Sequence, residues 1–404
     1  MPEQKIGSLA WWNEREKGGG PQVTAVSGQE YEVTFWWRDP AGTASAIRKV
    51  WIFITGVTDH HQASLPQSLT RLEGTDAWRW TVRLPADWRG SYCFIPTSRD
   101  DDFAGVTPGA DQVTRRALRD GWRRLLPHAI SDPLNPQSWR GGRGHGVSAL
   151  SLPKAPLQPG WDAPETAFTP ATCEQWHSRR LGNSRRIWIF ATGEAASRPL
   201  AVLLDGQFWA QDMPVWQPLQ TLTNSGQLPA AVYLFIDVID NDHRSRELPC
   251  NPEFWQAVSE ELLPMVQDIA PFSPAPETTV VAGQSFGGLS ALYAALGWPQ
   301  HYGCALSQSG SYWWPSREHG GDGGWLVEQI AQGALAPINT RIWLGAGARE
   351  PLIMRANVEL RRVLSERYPQ VPVAWRPNEG GHDALCWRGG LTTGLIELWG
   401  ARPR

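Results

Sequence analysis

The sequence of 404 residues has little of several features that would assign it to a particular class of protein. Its 5 cysteines are scattered without Cys-x-x-Cys spacing, which argues against a disulfide framework and fits reduced thiols in the cytosol. The formal net charge is -3, so bulk electrostatic attraction to nucleic acid or an anionic membrane is not expected. The N-terminus has no apolar signal core, and no stretch could span a bilayer. These absences predict a cytoplasmic protein without nucleic-acid or membrane partners.

Lysine is also scarce, whereas arginine and tryptophan are abundant. Lysine occurs only at positions 5, 17, 49 and 154, and the 24 tryptophans outnumber the 11 phenylalanines. Arginine and tryptophan suit planar, anionic, aromatic ligands, through paired hydrogen bonds and stacking. A genome rich in G and C would also raise arginine over lysine with no functional meaning. Composition alone leaves both interpretations open.

Hydrophobic patterning divides the chain into two domains, predicted at 1–150 and 151–404. Short strands with turn residues between them, such as Val50–Ile54 and Gly90–Pro96, predict an N-terminal β-sandwich. His60 and His61 lack a partner cluster and are expected in a surface loop there. From about residue 171, nearly continuous apolar strands alternate with helices. This alternation predicts an α/β hydrolase domain with a mostly parallel sheet.

A junction rich in proline and glycine separates the two domains, at about residues 131–170. Its loop Arg140–Gly146 contains three glycines between basic side chains, but it does not lie between a strand and a helix as a phosphate-binding loop would. A plain linker is one interpretation. The other is a loop that offers Arg140, Arg143 and His145 to an anionic substrate.

The stretch Gly283–Gly287 has the pattern Gly-x-Ser-x-Gly around Ser285. An apolar run precedes it and an amphipathic helical pattern follows it, and this is the context that a nucleophile elbow requires. Small residues flank such a serine because the backbone turns sharply there. We therefore predict that Ser285 is a nucleophile; the alternative is an ordinary tight turn between a strand and a helix.

A serine nucleophile needs a base, and in this fold its partners follow in the order serine, acid, histidine. His382 follows the last predicted strand and precedes the final helix, so it is the predicted base. Glu350, the first carboxylate after the strand that ends near Gly345, is the predicted acid. Asp383 remains the alternative acid, and a helix N-terminal charge is the alternative role for Glu350.

The oxyanion hole is predicted from two backbone N–H groups, those of Phe286 and Gln207. Phe286 follows the nucleophile, and Gln207 lies in the loop after an early strand, where Gly206 permits a close approach. Trp209 in the same loop either contacts the substrate or packs in the core. Arg244 lies after another strand end and either binds an anionic substrate or forms a salt-bridged loop.

Several longer motifs resemble those of the enterobactin (enterochelin) esterases, which cleave catecholate siderophore trilactones. The resemblance extends over both domains, at Asp132–Asn135 through Gly144–His145, Asp205–Gly206 with Phe208–Trp209, His243–Arg244 with Glu247–Asn251, Gly283–Gly288, Arg349–Pro351 with Met354–Asn357, and Gly380–Gly390. It implies a small N-terminal domain that caps the substrate of a hydrolase domain, and release of iron in the cytoplasm. No resident cofactor is implied, because Fe³⁺ arrives as part of the substrate.

In that family context Ser285 would attack a serine ester of the trilactone, and water directed by His382 would free the acyl-enzyme. The ferric substrate is anionic and aromatic, so the resemblance implies substrate contacts for Arg244, Trp209 and Arg143. Two alternatives remain. One is an esterase of aryl-carbohydrate esters whose β domain binds sugar, and the other is a siderophore-binding protein without catalytic activity.

Overall fold

The computed structural model describes residues 5–62, 64–107, 109, 111–140, 144–163, 170–318 and 322–400. Contacts divide the chain into two compact units. The N-terminal unit consists of residues 1–156 together with 378–386, and the C-terminal unit consists of residues 157–377 together with 387–404. The division lies six residues after the predicted boundary, and it assigns a segment from near the end of the chain to the N-terminal unit.

The N-terminal unit contains an antiparallel sheet and two helices. Its strands are β1 (Gln22–Ala25), β2 (Glu30–Arg38), β3 (Lys49–Ile54), β4 (Gln67–Arg71), β5 (Ala77–Pro85), β6 (Arg89–Thr97), β7 (Ser138–Arg140) and β8 (Gly146–Ser151). Its helices are α1 (Leu9–Gly18) and α2 (Gln112–Leu125). Alternating apolar positions of β2, β3 and β6 form the core, which includes Phe35, Ile52 and Phe94.

The predicted two-sheet β-sandwich is not confirmed. The strands follow one hydrogen-bonded order, β1-β2-β5-β4-β3-β6-β8-β7. Strand β4 pairs with β3 through Leu69 and Val50, and with β5 through Thr70 and Arg79, so it joins what would otherwise be two sheets. Apolar alternation predicts where strands lie, but it carries no information on which strands pair.

The abundance of tryptophan is explained largely by packing. More than half of the 24 tryptophans are buried, and Trp12, Trp88, Trp122, Trp209 and Trp255 are among the largest fully buried side chains. Large aromatic rings bury much apolar surface and pack edge to face, as Trp255 and Tyr302 do. The large number of tryptophans can therefore be explained without an aromatic ligand.

A buried carboxylate forms a polar cluster in the core of the N-terminal unit. The Tyr92 hydroxyl donates to Asp132 Oδ2 at 2.6 Å, and Asn135 Nδ2 donates to the Tyr92 hydroxyl at 3.1 Å. The backbone N–H of Asp132 donates to the Ser148 hydroxyl at 2.8 Å. Asp132 is 2% exposed, and burial raises the pKa of its carboxyl to about 6. Ionisation of the Asp132 carboxyl group is thus less favourable in the folded state than in water.

Asp132 is therefore expected to make the protein less stable as the pH rises. The pKa of its carboxyl is higher in the folded than in the unfolded state. Its contribution to the free energy of unfolding is therefore fully present below the pKa of the unfolded state, and it is lost as the pH rises through about 6. Between about pH 5 and pH 7.5, the free energy of unfolding of the wild type should fall by about 1 kcal/mol more than that of Asp132→Asn. Urea denaturation at the two pH values measures this difference. An equal fall in the free energy of unfolding of the wild type and of Asp132→Asn would contradict this prediction.

The C-terminal unit contains a second eight-stranded sheet between helices. Its strands are β9 (Thr172–Ser178), β10 (Asn183–Thr192), β11 (Leu200–Leu203), β12 (Ala231–Ile236), β13 (Thr279–Gln284), β14 (Cys304–Gln308), β15 (Arg341–Gly347) and β16 (Val373–Asn378). The helices are α3 (Trp216–Asn224), α4 (Asn241–Glu247), α5 (Pro252–Ala257), α6 (Leu263–Ile269), α7 (Phe286–Gly297), α8 (Trp325–Gln332), α9 (Pro351–Arg367) and α10 (Ala384–Trp399). The sheet order is β16-β15-β14-β13-β11-β12-β10-β9.

The sheet of the C-terminal unit is mixed: four of its six described pairings are parallel and two are antiparallel. Parallel pairing connects the five strands β12, β11, β13, β14 and β15, whereas β9, β10 and β12 pair antiparallel. Across both sheets, most described pairings are antiparallel. Strands β9 and β10 are joined by a short hairpin, and an apolar run such as β10 does not reveal its direction from sequence alone.

The parallel strands bring their carboxyl ends to one edge of the sheet. The chain segments that leave β11, β12, β13 and β15 at this edge carry the candidate residues of the C-terminal unit. Within the described ranges, no helix is both long and apolar enough to cross a membrane.

Candidate active site

Ser285 lies in the sharp connection between β13 and α7. Its backbone has φ 59° and ψ -120°, a conformation that L-residues rarely adopt. A Cβ atom on Gly283 would lie 2.5 Å from the carbonyl carbon of Gly287, so a larger residue cannot occupy position 283 without displacing the turn. The structure thus gives Ser285 the strained strand-to-helix geometry of a nucleophile elbow.

A serine-rich segment after β14 supports this elbow. The Ser285 N–H donates to the Gln308 carbonyl at 2.9 Å, and the Ser311 N–H donates to the Ser285 carbonyl at 3.0 Å. The hydroxyls of Ser285 and Ser311 are 3.3 Å apart. Sequence reasoning missed Ser311; its position just beyond the strand parallel to β13 is the signal that could have found it.

Glu350 contacts the same segment from the other side. It is 1% exposed, and its Oε1 accepts hydrogen bonds from the Ser309 hydroxyl at 2.7 Å and the Gly347 N–H at 2.8 Å. Ser309 also accepts from Trp387 Nε1 at 3.0 Å. Glu350 stands at the start of α9, but its side chain makes no capping bond to that helix. Ser285 and Glu350 are therefore linked through one short segment, Ser309–Ser311.

His382 and Asp383 lie between β16 and α10, in the segment that groups with the N-terminal unit. The His382 ring is 5.8 Å from that of His61. The Asp383 carboxylate accepts from Ser91 and from the Leu385 N–H, at 2.9 Å for the latter. These internal hydrogen bonds engage the Asp383 carboxylate within the N-terminal unit.

His61 was expected in a surface loop, and the structure places it, half-buried, in a turn after β3. Its ring centroid is 4.3 Å from that of His60 and 5.8 Å from that of His382, and both ring pairs are tilted. The residues involved are more than 300 positions apart in the sequence, and no local pattern around His60 and His61 points to this neighbour.

The predicted oxyanion residues lie at the ends of β11 and β13. Phe286 is the first residue of α7, and Gln207 follows Gly206, where a Cβ atom would lie 2.5 Å from the carbonyl carbon of Phe235. The Gln207 side chain accepts from the Val238 N–H at 3.3 Å. Trp209 is 1% exposed and donates to Gln284 Oε1 at 3.3 Å, which corresponds to the packing alternative.

Arg244 is engaged in an ion pair beneath the elbow. Its Nε and Nη2 atoms donate to the two carboxylate oxygens of Asp205 at 2.5 and 2.9 Å, and Nη2 reaches the Gln284 carbonyl at 3.4 Å. Gln284 Nε2 also donates to Asp205, at 3.2 Å. Burial acts to lower the pKa of Arg244, but the Asp205 carboxylate holds it above its usual value. The pair thus ties the loop after β11 to the residue before Ser285.

Loss of this ion pair is expected to destabilise the C-terminal unit. Arg244→Gln leaves the Asp205 carboxylate, 5% exposed, without its charged partner, and such losses cost about 3–5 kcal/mol. Arg246→Gln is the matched control, since Arg246 is exposed on the same helix. Urea denaturation measures both variants. Equal stability of the two variants would contradict the structural role of Arg244.

Arg143, the third predicted substrate contact, lies outside the described residues, and so does the side chain of Arg140. Within the described residues, no group of three or more His, Cys, Asp or Glu side chains is arranged to hold a metal ion.

Comparison with known proteins gives a consistent assignment over nearly the whole chain. The family described as the N-terminal domain of enterochelin esterase matches residues 32–161, and the family described as putative esterase matches residues 178–398. An iron(III) enterobactin esterase of Escherichia coli O6:H1 is 58% identical over 404 residues, which is 99% of this chain and 98% of that protein. The chain belongs to the enterobactin esterase family.

Solved structures of this esterase family have the same fold. The ferric enterobactin esterase of Salmonella typhimurium is 58% identical, with a TM-score of 0.92, and the alignment covers 97% of this chain and 98% of that one. The enterobactin esterase of Shigella flexneri, crystallised in the presence of enterobactin, is 57% identical, with a TM-score of 0.88 and coverage of 98% and 99%. The family resemblance inferred from the motifs is confirmed.

Proposed function

We propose that this esterase hydrolyses the trilactone backbone of ferric enterobactin and thereby releases its iron. The observation that carries the proposal is 58% identity to an iron(III) enterobactin esterase over 99% of the chain. The strained elbow at Ser285 and the buried carboxylate of Glu350 support a hydrolytic role in an α/β hydrolase fold. The two other functions considered from the sequence have no comparable support.

In the proposed mechanism Ser285 Oγ attacks an ester carbonyl of the trilactone while His382 accepts its proton. The N–H groups of Phe286 and Gln207 stabilise the oxyanion. Collapse of the tetrahedral intermediate breaks the ester bond, and His382 returns the proton to the departing serine hydroxyl. Water then attacks the acyl-enzyme with His382 as base, which frees a carboxylate and regenerates Ser285.

Glu350 is the proposed acid that orients His382 and stabilises its charged form. The engagement of Asp383 with Ser91 and Leu385 supports this choice, because it occupies the rival carboxylate. For the anionic, aromatic substrate we retain Arg143 as a proposed contact. The described bonds of Arg244 and Trp209 are internal, so we assign these two a supporting role at the elbow.

Incubation with ferric enterobactin, followed by chromatography of the products, tests the proposal. The expected products are linear fragments and then dihydroxybenzoylserine. An intact trilactone after prolonged incubation would overturn the proposed function. We further propose that no resident cofactor takes part, because Fe³⁺ arrives with the substrate; hydrolysis of iron-free enterobactin should then be unchanged by a chelator. A cytoplasmic location is also proposed; it is supported by the five cysteines, all within the described residues, none of which forms a disulfide bond.

A further inference from the structure

The loop that carries His382 is held within the N-terminal unit by close backbone packing. A Cβ atom on Gly381 would lie 2.7 Å from the backbone N and Cα of Gly56. Gly56 itself has φ 77°, in the left-handed region that favours glycine. The two chain segments therefore approach each other more closely than side chains would allow. This contact fixes the backbone immediately before His382.

The residue immediately after His382 is fixed as well, by hydrogen bonds to its carboxylate. Asp383 accepts from the Ser91 N–H at 2.5 Å and from the Ser91 hydroxyl at 2.8 Å. It also accepts from the Thr55 hydroxyl and from the Leu385 N–H. Thr55 and Ser91 are themselves paired, since the Thr55 N–H donates to the Ser91 carbonyl at 3.1 Å.

Burial of the Asp383 carboxylate costs free energy, and this cost restricts the position of the loop. Asp383 is 4% exposed, so its charge has been removed from water, and burial raises the pKa of its carboxyl. The donors of Ser91, Thr55 and Leu385 offset that cost only when the loop keeps its position. A displaced loop would leave a buried carboxylate with unmatched donors. The bonds thus select one position for the loop.

We propose that Asp383, held by Ser91 and Thr55, is a positioning residue that fixes the loop of the proposed base His382. The inference rests on the proposed roles of Ser285 and His382. The backbone is anchored on both sides of His382, by Gly381 and by Asp383. Displacement of a catalytic group by 1 Å can cost about 10²-fold in rate, so a loose loop would lower turnover without weakening substrate binding.

The test measures kcat and KM for ferric enterobactin, together with thermal stability, in four hydroxyl variants. Ser91→Ala and Thr55→Val each remove one donor to Asp383, while Thr55→Ser keeps the hydroxyl. Ser148→Ala is the control, since Ser148 is a buried serine of the same unit whose hydroxyl bonds to Asp132. We expect kcat to fall about tenfold in Ser91→Ala and Thr55→Val with KM within about twofold, and near wild-type kcat in Thr55→Ser and Ser148→Ala.

The outcomes separate positioning from general stability. Values of kcat within about twofold of wild type in both Ser91→Ala and Thr55→Val would overturn the inference, and so would an equal loss of kcat in Ser148→Ala. If Ser91→Ala does not fold, the comparison of Thr55→Val with Thr55→Ser decides. A wild-type protein that leaves ferric enterobactin intact would overturn the proposed function and this inference together. A wild-type protein that cleaves it, with Ser91→Ala and Thr55→Val equally active, would overturn the inference alone.

Discussion

Replacement of Ser285 by alanine is expected to lower kcat for ferric enterobactin by at least about 10⁴-fold. The change removes the attacking oxygen but keeps the small side chain that the elbow between β13 and α7 requires. Substrate affinity should remain within about twofold, because the hydroxyl acts in bond formation and not in holding the ligand. Chromatography of the products measures kcat, and quenching of tryptophan fluorescence measures binding.

Ser290→Ala is the matched control for this result. Ser290 lies further along α7, is fully buried, and its hydroxyl accepts from Trp255 Nε1 at 3.0 Å. Its loss should lower thermal stability while leaving kcat close to that of the wild type. A fluorophosphonate reagent should label the wild type and Ser290→Ala but not Ser285→Ala. Undiminished cleavage by Ser285→Ala would exclude this serine as the nucleophile.

Replacement of Glu350 by glutamine should lower kcat by about 10³-fold or more with little change in KM. An amide cannot stabilise the imidazolium that forms when the proposed base His382 accepts a proton. Its NH₂ group would also favour the wrong tautomer of the His382 ring. The side chain is 1% exposed and already accepts bonds from Ser309 and Gly347, so the isosteric change keeps its volume in place. The kcat profile against pH, together with the melting temperature, separates a catalytic from a structural loss.

Two further variants are compared with Glu350→Gln. Glu366→Gln, at the exposed end of the same helix α9, should retain wild-type activity. Asp383→Asn should cost about 10²-fold, because it disturbs the loop and opposes an NH₂ group to the donors of Ser91, but it should cost less than Glu350→Gln. A larger loss in Asp383→Asn than in Glu350→Gln would reverse the assignment of the acid.

The elbow at Ser285 could be predicted from the sequence because everything that shapes it is local. The strand, the glycines around Ser285 and the helix follow one another within about 20 residues. The acid and the base could be ranked from chain order, since residues beyond parallel strand ends meet at one edge. Local pattern was enough to predict the elbow, whereas the roles of Glu350 and His382 stay predictions from chain order.

The supporting contacts could not be predicted, because they depend on which distant segments pair. Ser91 and Asp383 are 292 positions apart, and the Arg244 partner Asp205 is 39 positions away in a different loop. Apolar alternation likewise did not reveal that β4 joins the strands on either side of it. The sequence left open whether Arg244 binds an anionic substrate or forms a salt-bridged loop, and in the fold the buried Asp205 carboxylate accepts its hydrogen bonds.

The division of the N-terminal unit into residues 1–156 and 378–386 has a consequence for how the protein is made. Ribosomes release a chain from its N-terminus, and domains usually fold as they emerge. Here the first unit to emerge lacks its last segment until residues 378–386 have been synthesised. Until then, Ser91 has no Asp383 carboxylate to bind, and the proposed base His382 is absent. A chain synthesised only as far as residue 377 would therefore contain the elbow at Ser285 without the proposed base His382, and we expect it to lack hydrolytic activity.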